Sequence, residues 1–128
     1  MEDGPMGRFV VTATRSGSCH FNLKAGNSET IATSETYSSV DSCKNGIESV
    51  RKNCKAAIED QTVSGFIEIK NPKFEIYKDK KGDFRFRLKA ANGEIILSSE
   101  GYTAKASCKN GIESVAVNAP KAEVVVTK

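Results

Sequence analysis

The sequence predicts an α+β domain, a single unit over residues 1–128, built from two pseudo-symmetric repeats that each run β-β-β-α-β. Three observations carry this. Sliding the chain by 65 residues aligns Phe9 to Val50 with Phe74 to Val115 without a gap, and 21 of those 42 positions are identical. Apolar and polar residues alternate between Gly- and Asn-bearing turn signals, the period of half-buried strands in hairpins. Each copy then switches to apolar residues every three or four positions, the period of a helix with one buried face. A 65-residue period is longer than that of ordinary solenoids, so two half-domains sharing a core are expected rather than an open array. Repeat 1 spans 9–60, a polar linker 61–72, and repeat 2 73–128.

In repeat 1 the strands are read at Phe9 to Thr14, Cys19 to Lys24 and Thr30 to Ser34. The run "SSVD" from Ser38 opens a helix, with a Ser hydroxyl able to accept from first-turn amides and Asp41 placed favourably near the positive end of the helix dipole. Val40, Cys43, Ile47, Val50 and Cys54 then form a single apolar stripe. "KAAIED" at 55–60 is a faint strand. Within the linker, "FIEIK" at 66–70 is read as an additional or continuing strand.

Repeat 2 is written more clearly. "KFEIYKD" and "DFRFRLK" alternate, with Phe74, Ile76, Phe84, Phe86 and Leu88 facing a core and Gly82 in the turn between them. Asn92-Gly93 predicts a two-residue hairpin in which both residues take positive φ, followed by a strand from Glu94 to Ser99. A helix carries Ala104, Cys108, Ile112, Val115 and Ala119 on its stripe and stops at Pro120. "AEVVVTK" at 122–128 is the final strand.

"KAANGEIILSSEGY" followed by "NGIESV", in tandem with "LKAGNSETIATSETY" and a second "NGIESV", resembles the YegP-like family of small prokaryotic proteins, a domain of unknown function. The likeness covers nearly all of the chain. It implies one mostly antiparallel sheet with two helices packed on it and the C-terminal strands exchanged between repeats. In single-repeat relatives a homodimer plays the same part, so a tandem chain is expected to be a monomer. The resemblance implies no activity and no catalytic residues. The first copy has "GNSET" where the second has "NGEI", leaving the turn type of its hairpin open.

The start "MEDGPMGRFVV" has no basic segment followed by an apolar core, so a secretory signal is not expected and a cytoplasmic address follows. No apolar run reaches membrane-spanning length. Cys19, Cys43, Cys54 and Cys108 read as small buried hydrophobes. Cys43 and Cys54 stand eleven positions apart on one helix, about 16 Å at the helical rise, too far to bridge. With no CxxC pair and one histidine, His20, no metal site is expected. No cofactor is expected either, because there is no phosphate-cradling glycine motif.

"SCKNGIESV" occurs twice, at 42–50 and 107–115. Packing explains its Cys, Ile and Val. Gly46 and Gly111 each cost a helix about 1 kcal/mol relative to Ala, which points to close approach by a strand or by the other helix. Asn45, Glu48, Asn110 and Glu113 project away from the stripe, where packing does not require identity. They form a candidate interaction surface for a protein partner, set against two plainer explanations: local bonding of Asn to a loop, or limited divergence after duplication. Lys44 and Glu48 are spaced to pair along the helix.

Charge is uneven: residues 1–64 hold 7 Lys/Arg against 8 Asp/Glu, and residues 65–128 hold 12 against 8. Lys78, Lys80, Lys81, Arg85, Arg87 and Lys89 make the hairpin of repeat 2 a candidate anion or nucleic-acid contact. Its aromatic rings face the core, however, so phosphate contacts are offered without base stacking. A catalytic reading rests only on Glu35, Glu100, Tyr37 and Tyr102 meeting across the pseudo-dyad. A non-catalytic binding or interaction module is the favoured function, with weak nucleic-acid or anionic-ligand binding as the alternative and an enzyme as the second alternative.

Overall fold

A computed structural model describes residues 7–127. The start of the chain, where no leader is expected, and Lys128, the last residue of the expected final strand, lie outside the described residues. In chain order the elements are β1 Arg8–Ala13, β2 Cys19–Lys24, β3 Thr30–Thr33, α1 Val40–Asn53, β4 Ile58–Asp60, β5 Lys73–Lys78, β6 Phe84–Lys89, β7 Ile95–Ser98, α2 Lys105–Asn118 and β8 Glu123–Thr127. They form one eight-stranded sheet in the order β4-β5-β6-β7-β3-β2-β1-β8.

That order is a palindrome about the β3–β7 contact, whose register pair is Thr33 with Ser98, positions equivalent under the 65-residue shift. The exchange is explicit. After α1, repeat 1 sends β4 to lie parallel to β5 of repeat 2, and β8 of repeat 2 lies parallel to β1. Every other pairing is antiparallel, and both repeats break register at the same place, between Leu23 and Lys24 and between Leu88 and Lys89.

Both helices cover one sheet face, and each reaches across the dyad: α1 packs on β1, β2 and β7, and α2 on β6 and β3. Strand alternation supplies the core beneath them. Phe9, Phe21, Phe74 and Phe86 are fully buried, and the equivalent pairs Phe9–Phe21 and Phe74–Phe86 meet edge to face at 5.6 and 5.9 Å. Each buried ring contributes roughly 2–3 kcal/mol of transfer free energy. Cys43, Ile47 and Val50 on α1 and Cys108, Ile112 and Val115 on α2 close the core from above.

Several local expectations are corrected. The α1 cap is Ser39, which accepts from the Ser42 amide at 3.0 Å, because helical geometry begins one residue later than Ser38 would place it. At the matching position of α2 stands Ala104, with no side-chain cap. The hairpin at Asn92 is not a two-residue turn. Gly93 donates to the Ala90 carbonyl, Ala90 to that of Glu94, and among Ala91, Asn92 and Gly93 only Gly93 takes positive φ, +85°. That is a type I turn closed by a left-handed residue and a bulge. Repeat 1 makes the same turn with Ser28 at φ +71°. Residues 66–70 form no strand. They run back over the open sheet face, where the Ile69 amide donates to Glu59 at 2.7 Å.

Candidate functional site

The repeated nonapeptide builds one wall of a cleft. On α1, Ser42, Asn45, Gly46 and Ser49 line it together with Tyr37, which precedes the helix. The facing wall belongs to the other repeat: Ala90, Asn92, Glu94 and Ile96 of the β6–β7 hairpin. The space between measures about 220 Å³. All nine residues recur, identical, at the pseudo-symmetric position. Tyr102, Ser107, Asn110, Gly111 and Ser114 stand on the α2 side, and Ala25, Asn27, Glu29 and Ile31 on the β2–β3 hairpin. Outside the nonapeptide only 12 of the remaining 33 aligned positions are identical. The five cleft positions contributed from there all are.

The glycines explain themselves here, and only in part as expected. A Cβ on Gly46 would lie 2.7 Å from Tyr37 Cζ, and one on Gly111 would lie 2.6 Å from Tyr102 Oη and 2.9 Å from the Phe86 ring. Each glycine makes room for the tyrosine of its own repeat and for a phenylalanine of the strand beneath, Phe21 of β2 or Phe86 of β6, and not for the second helix. Tyr37 stacks on Phe21 at 6.2 Å and closes one end of the cleft. Its hydroxyl is held above the ordinary value by burial first, then by Cys43, Glu94 and Glu35. Tyr102 behaves alike, through burial, Cys108 and Glu100. Because β2 and β6 run in opposite directions, the bridges Cys19–Tyr37 and Phe84–Tyr102 sit at opposite ends of the sheet. The expected convergence of Glu35, Tyr37, Glu100 and Tyr102 across the dyad therefore does not occur.

The four exposed helix positions separate into different roles. Asn45 lines the cleft, and Asn110 its symmetric mate. Their helix neighbours Asn53 and Asn118 bond back to the Ser49 and Ser114 carbonyls, but among the described residues Asn45 and Asn110 make no side-chain hydrogen bond, so local bonding to a loop does not account for them. Glu48 pairs with Arg51, not with Lys44. Arg51 in turn donates to the Ala119 and Ala122 carbonyls and lies 5.5 Å over the Phe9 ring, tying α1 to the segment that leads into β8. Glu113 lines a separate groove between α2 and β4.

Half of the basic hairpin is neutralised: Arg85, Arg87 and Lys89 are paired with carboxylates. Arg85 bonds to Asp79 at 2.7 Å, Arg87 to Glu75 at 2.6 Å while lying 4.3 Å over Tyr77, and Lys89 to Glu75 at 3.2 Å. Lys78 is on the opposite face, over Phe84. Lys78, with Lys80 and Lys81 in the turn, is exposed and stands without an ion pair among the described residues. Pairing of this kind weakens the anion-contact expectation, since a phosphate must displace a carboxylate already in place.

Strand alternation did not reveal the centre of that network. Glu59, Lys73 and Glu75 are 2%, 5% and 2% exposed. Lys73 Nζ lies 2.7 Å from Glu59 and 3.3 Å from Glu75. Their strand positions face away from the helices, and it is the 61–72 segment that covers them. The apolar content of "FIEIK" was the available signal. The thiols are equally closed: burial pushes Cys43 and Cys108 up to about 11. No helix among the described residues is long and apolar enough to cross a membrane.

The fold defines a class: a tandem β3-α-β protein that makes, within one chain, a pseudo-dimer with exchanged terminal strands. The family model described as "Domain of unknown function (DUF1508)" matches residues 15–60 and again 79–125. The chain belongs to this family. A UPF0339 protein of Pseudomonas aeruginosa is 36% identical over 115 residues, 90% of this chain and 92% of that one. Another, from Agrobacterium fabrum, is 64% identical over 53 residues, 41% of this chain but 86% of that one, so a single repeat makes up most of a protein there. The solution structure of yegP from E. coli, titled a protein of unknown function, superposes with a TM-score of 0.78 at 34% identity, covering 98% of this chain and 97% of that one.

Proposed function

We propose that this chain is a non-catalytic binding module whose contact sites are the two helix–hairpin clefts. The observation that carries the reading is the recurrence of all nine lining residues in a repeat pair that differs at 21 of its other 33 aligned positions. Gly46, Ile96 and Ala90 are buried and serve packing. Asn92 and Asn27 serve their turns, each accepting from the amide two residues on, at 3.0 and 3.1 Å. Asn45 and Glu94 are exposed, and neither core nor strand pairing requires the same residues in both copies. A shared binding task does. The separation of Tyr37 from Tyr102 and the closed thiols support the non-catalytic part, since general acid–base or nucleophilic chemistry needs such groups within hydrogen-bond reach of one another.

The test compares two double variants in co-purification from native lysate read by mass spectrometry. Asn45→Ala/Asn110→Ala opens the clefts, and Glu48→Ala/Glu113→Ala alters the same helices outside them. The expected result is loss of specific species with the asparagine pair and their retention with the glutamate pair, both variants melting near wild type. Identical recovery from wild type and the asparagine pair refutes the reading.

A further inference from the structure

We propose that each cleft receives an organic cation, an ammonium or guanidinium head on an apolar stem of lysine or arginine side-chain size; this rests on the clefts being the binding sites. Three features of the lining point to that class. Glu94 is exposed on one wall and Glu29 is its mate, and among the described residues neither has an ion pair. No Lys or Arg lines the measured cleft, although the chain as a whole carries a net charge of +3. Asn45 Oδ1 and the Tyr37 hydroxyl belong to the same lining as that carboxylate and offer further acceptors, together with the buried Ile96 and Ala90.

Electrostatics and size agree with each other. Glu94 and Tyr37 line the same cleft, and after burial and Cys43 the Glu94 carboxylate adds to what holds the Tyr37 hydroxyl up. An ammonium placed between Glu94 and Asn45 gains a charge-assisted hydrogen bond, stronger than its neutral counterpart. About 220 Å³ falls below the range of roughly 300–1,000 Å³ typical of drug-sized ligands. It suits one unbranched side chain or a short amine. An anion would meet an uncompensated carboxylate and is disfavoured on the same grounds.

The experiment uses the full chain and follows amide and side-chain NMR shifts during titration with four probes. Nα-acetyl-lysine N-methylamide represents a side chain of a protein partner, and 1,4-diaminobutane a free amine. Nα-acetyl-norleucine N-methylamide is the neutral control, and acetate the anionic one. Saturable shifts at Asn45, Asn92, Asn110 and Asn27 with the lysine probe or the diamine are expected, and which of the two binds tighter identifies the source. Glu94→Gln should weaken binding at its own cleft by about tenfold, the worth of one charge-assisted hydrogen bond, and leave the cleft at Glu29 intact. Equal binding of the norleucine probe, or affinity unchanged by both Glu94→Gln and Glu29→Gln, overturns the cation class. If the asparagine-dependent capture described above persists in that case, the binding reading stands and only the class fails. Absence of both effects overturns both.

Discussion

Lys73→Met tests the buried charge network directly. Methionine keeps the unbranched stem and removes the ammonium that lies 2.7 Å from Glu59 and 3.3 Å from Glu75. Glu75 retains Arg87 at 2.6 Å and Lys89 at 3.2 Å, so the loss falls on Glu59, left with Gln61 and the Ile69 amide. Burial alone would raise the Glu59 carboxyl, but hydrogen bonds from Gln61, Lys73 and Ile69 hold it down at about 2. The gap from its ordinary 4.5 corresponds to about 3–4 kcal/mol at ~1.4 kcal/mol per pH unit. Breaking one side of a buried pair costs about 3–5 kcal/mol in comparable cases. Urea unfolding at neutral pH should therefore show Lys73→Met destabilised by about 3 kcal/mol. Because the folded-state value of Glu59 lies below the unfolded one, its stabilisation is fully present above 4.5 and is lost as pH falls from there toward about 2. The difference between wild type and variant must narrow across that window. Adding Glu59→Gln to Lys73→Met removes the orphaned charge and should recover most of the loss, which a double-mutant cycle reads as coupling. A loss below about 1 kcal/mol, a gap that does not change with pH, or a double variant no more stable than the single one would refute the reasoning.

Gly111→Ala should destabilise by about 1–2 kcal/mol in thermal unfolding, although helix propensity alone favours Ala by about 1 kcal/mol. The added methyl group meets the fully buried Phe86 ring at 2.9 Å, and a stabilised variant would refute the close-packing explanation of the repeated glycine. Ser28→Gly should stabilise by up to about 1 kcal/mol in denaturant titration, since Ser28 holds the left-handed conformation that Gly93 holds in the other repeat. No gain would mean that the exposed contact of Ser28 with Arg8 at 3.3 Å offsets the backbone strain.

Much of the fold was legible because its signals are local and doubled. Strand alternation placed β2 at Cys19–Lys24 to the residue, and the apolar stripe Cys43, Ile47, Val50 is the buried face of α1. What failed locally was turn and cap chemistry. Asn92-Gly93 fits two turn types equally well, and only backbone hydrogen bonding decides between them. "FIEIK" alternates like a strand, yet it does not pair with the outer edge of β4, and Glu59 captures the Ile69 amide instead. The same covering segment hides Glu59, Lys73 and Glu75, which alternation assigns to the solvent side.

The clefts were illegible for a different reason, one that follows from the topology. Each is lined by residues 37–49 of one repeat and 90–96 of the other, or their equivalents, and no window of sequence contains both walls. They are brought together by the antiparallel β3–β7 contact, where Thr33 meets Ser98 on the pseudo-dyad, and by each helix leaning across it. An identical residue on an exposed helix face therefore looks like a leftover of duplication when read along one repeat. Read across the dyad, Asn45 lines the same cleft as Asn92 and Glu94, and the binding role proposed above draws on both repeats at once. A fold that exchanges its terminal strands and crosses its helices over the axis makes each repeat incomplete as a binding surface. Under the binding role proposed above, the repeated asparagine answers a demand that neither repeat imposes alone. The same role implies that a substitution on either wall, at Asn45 or at Glu94, should disable the same cleft while sparing its twin.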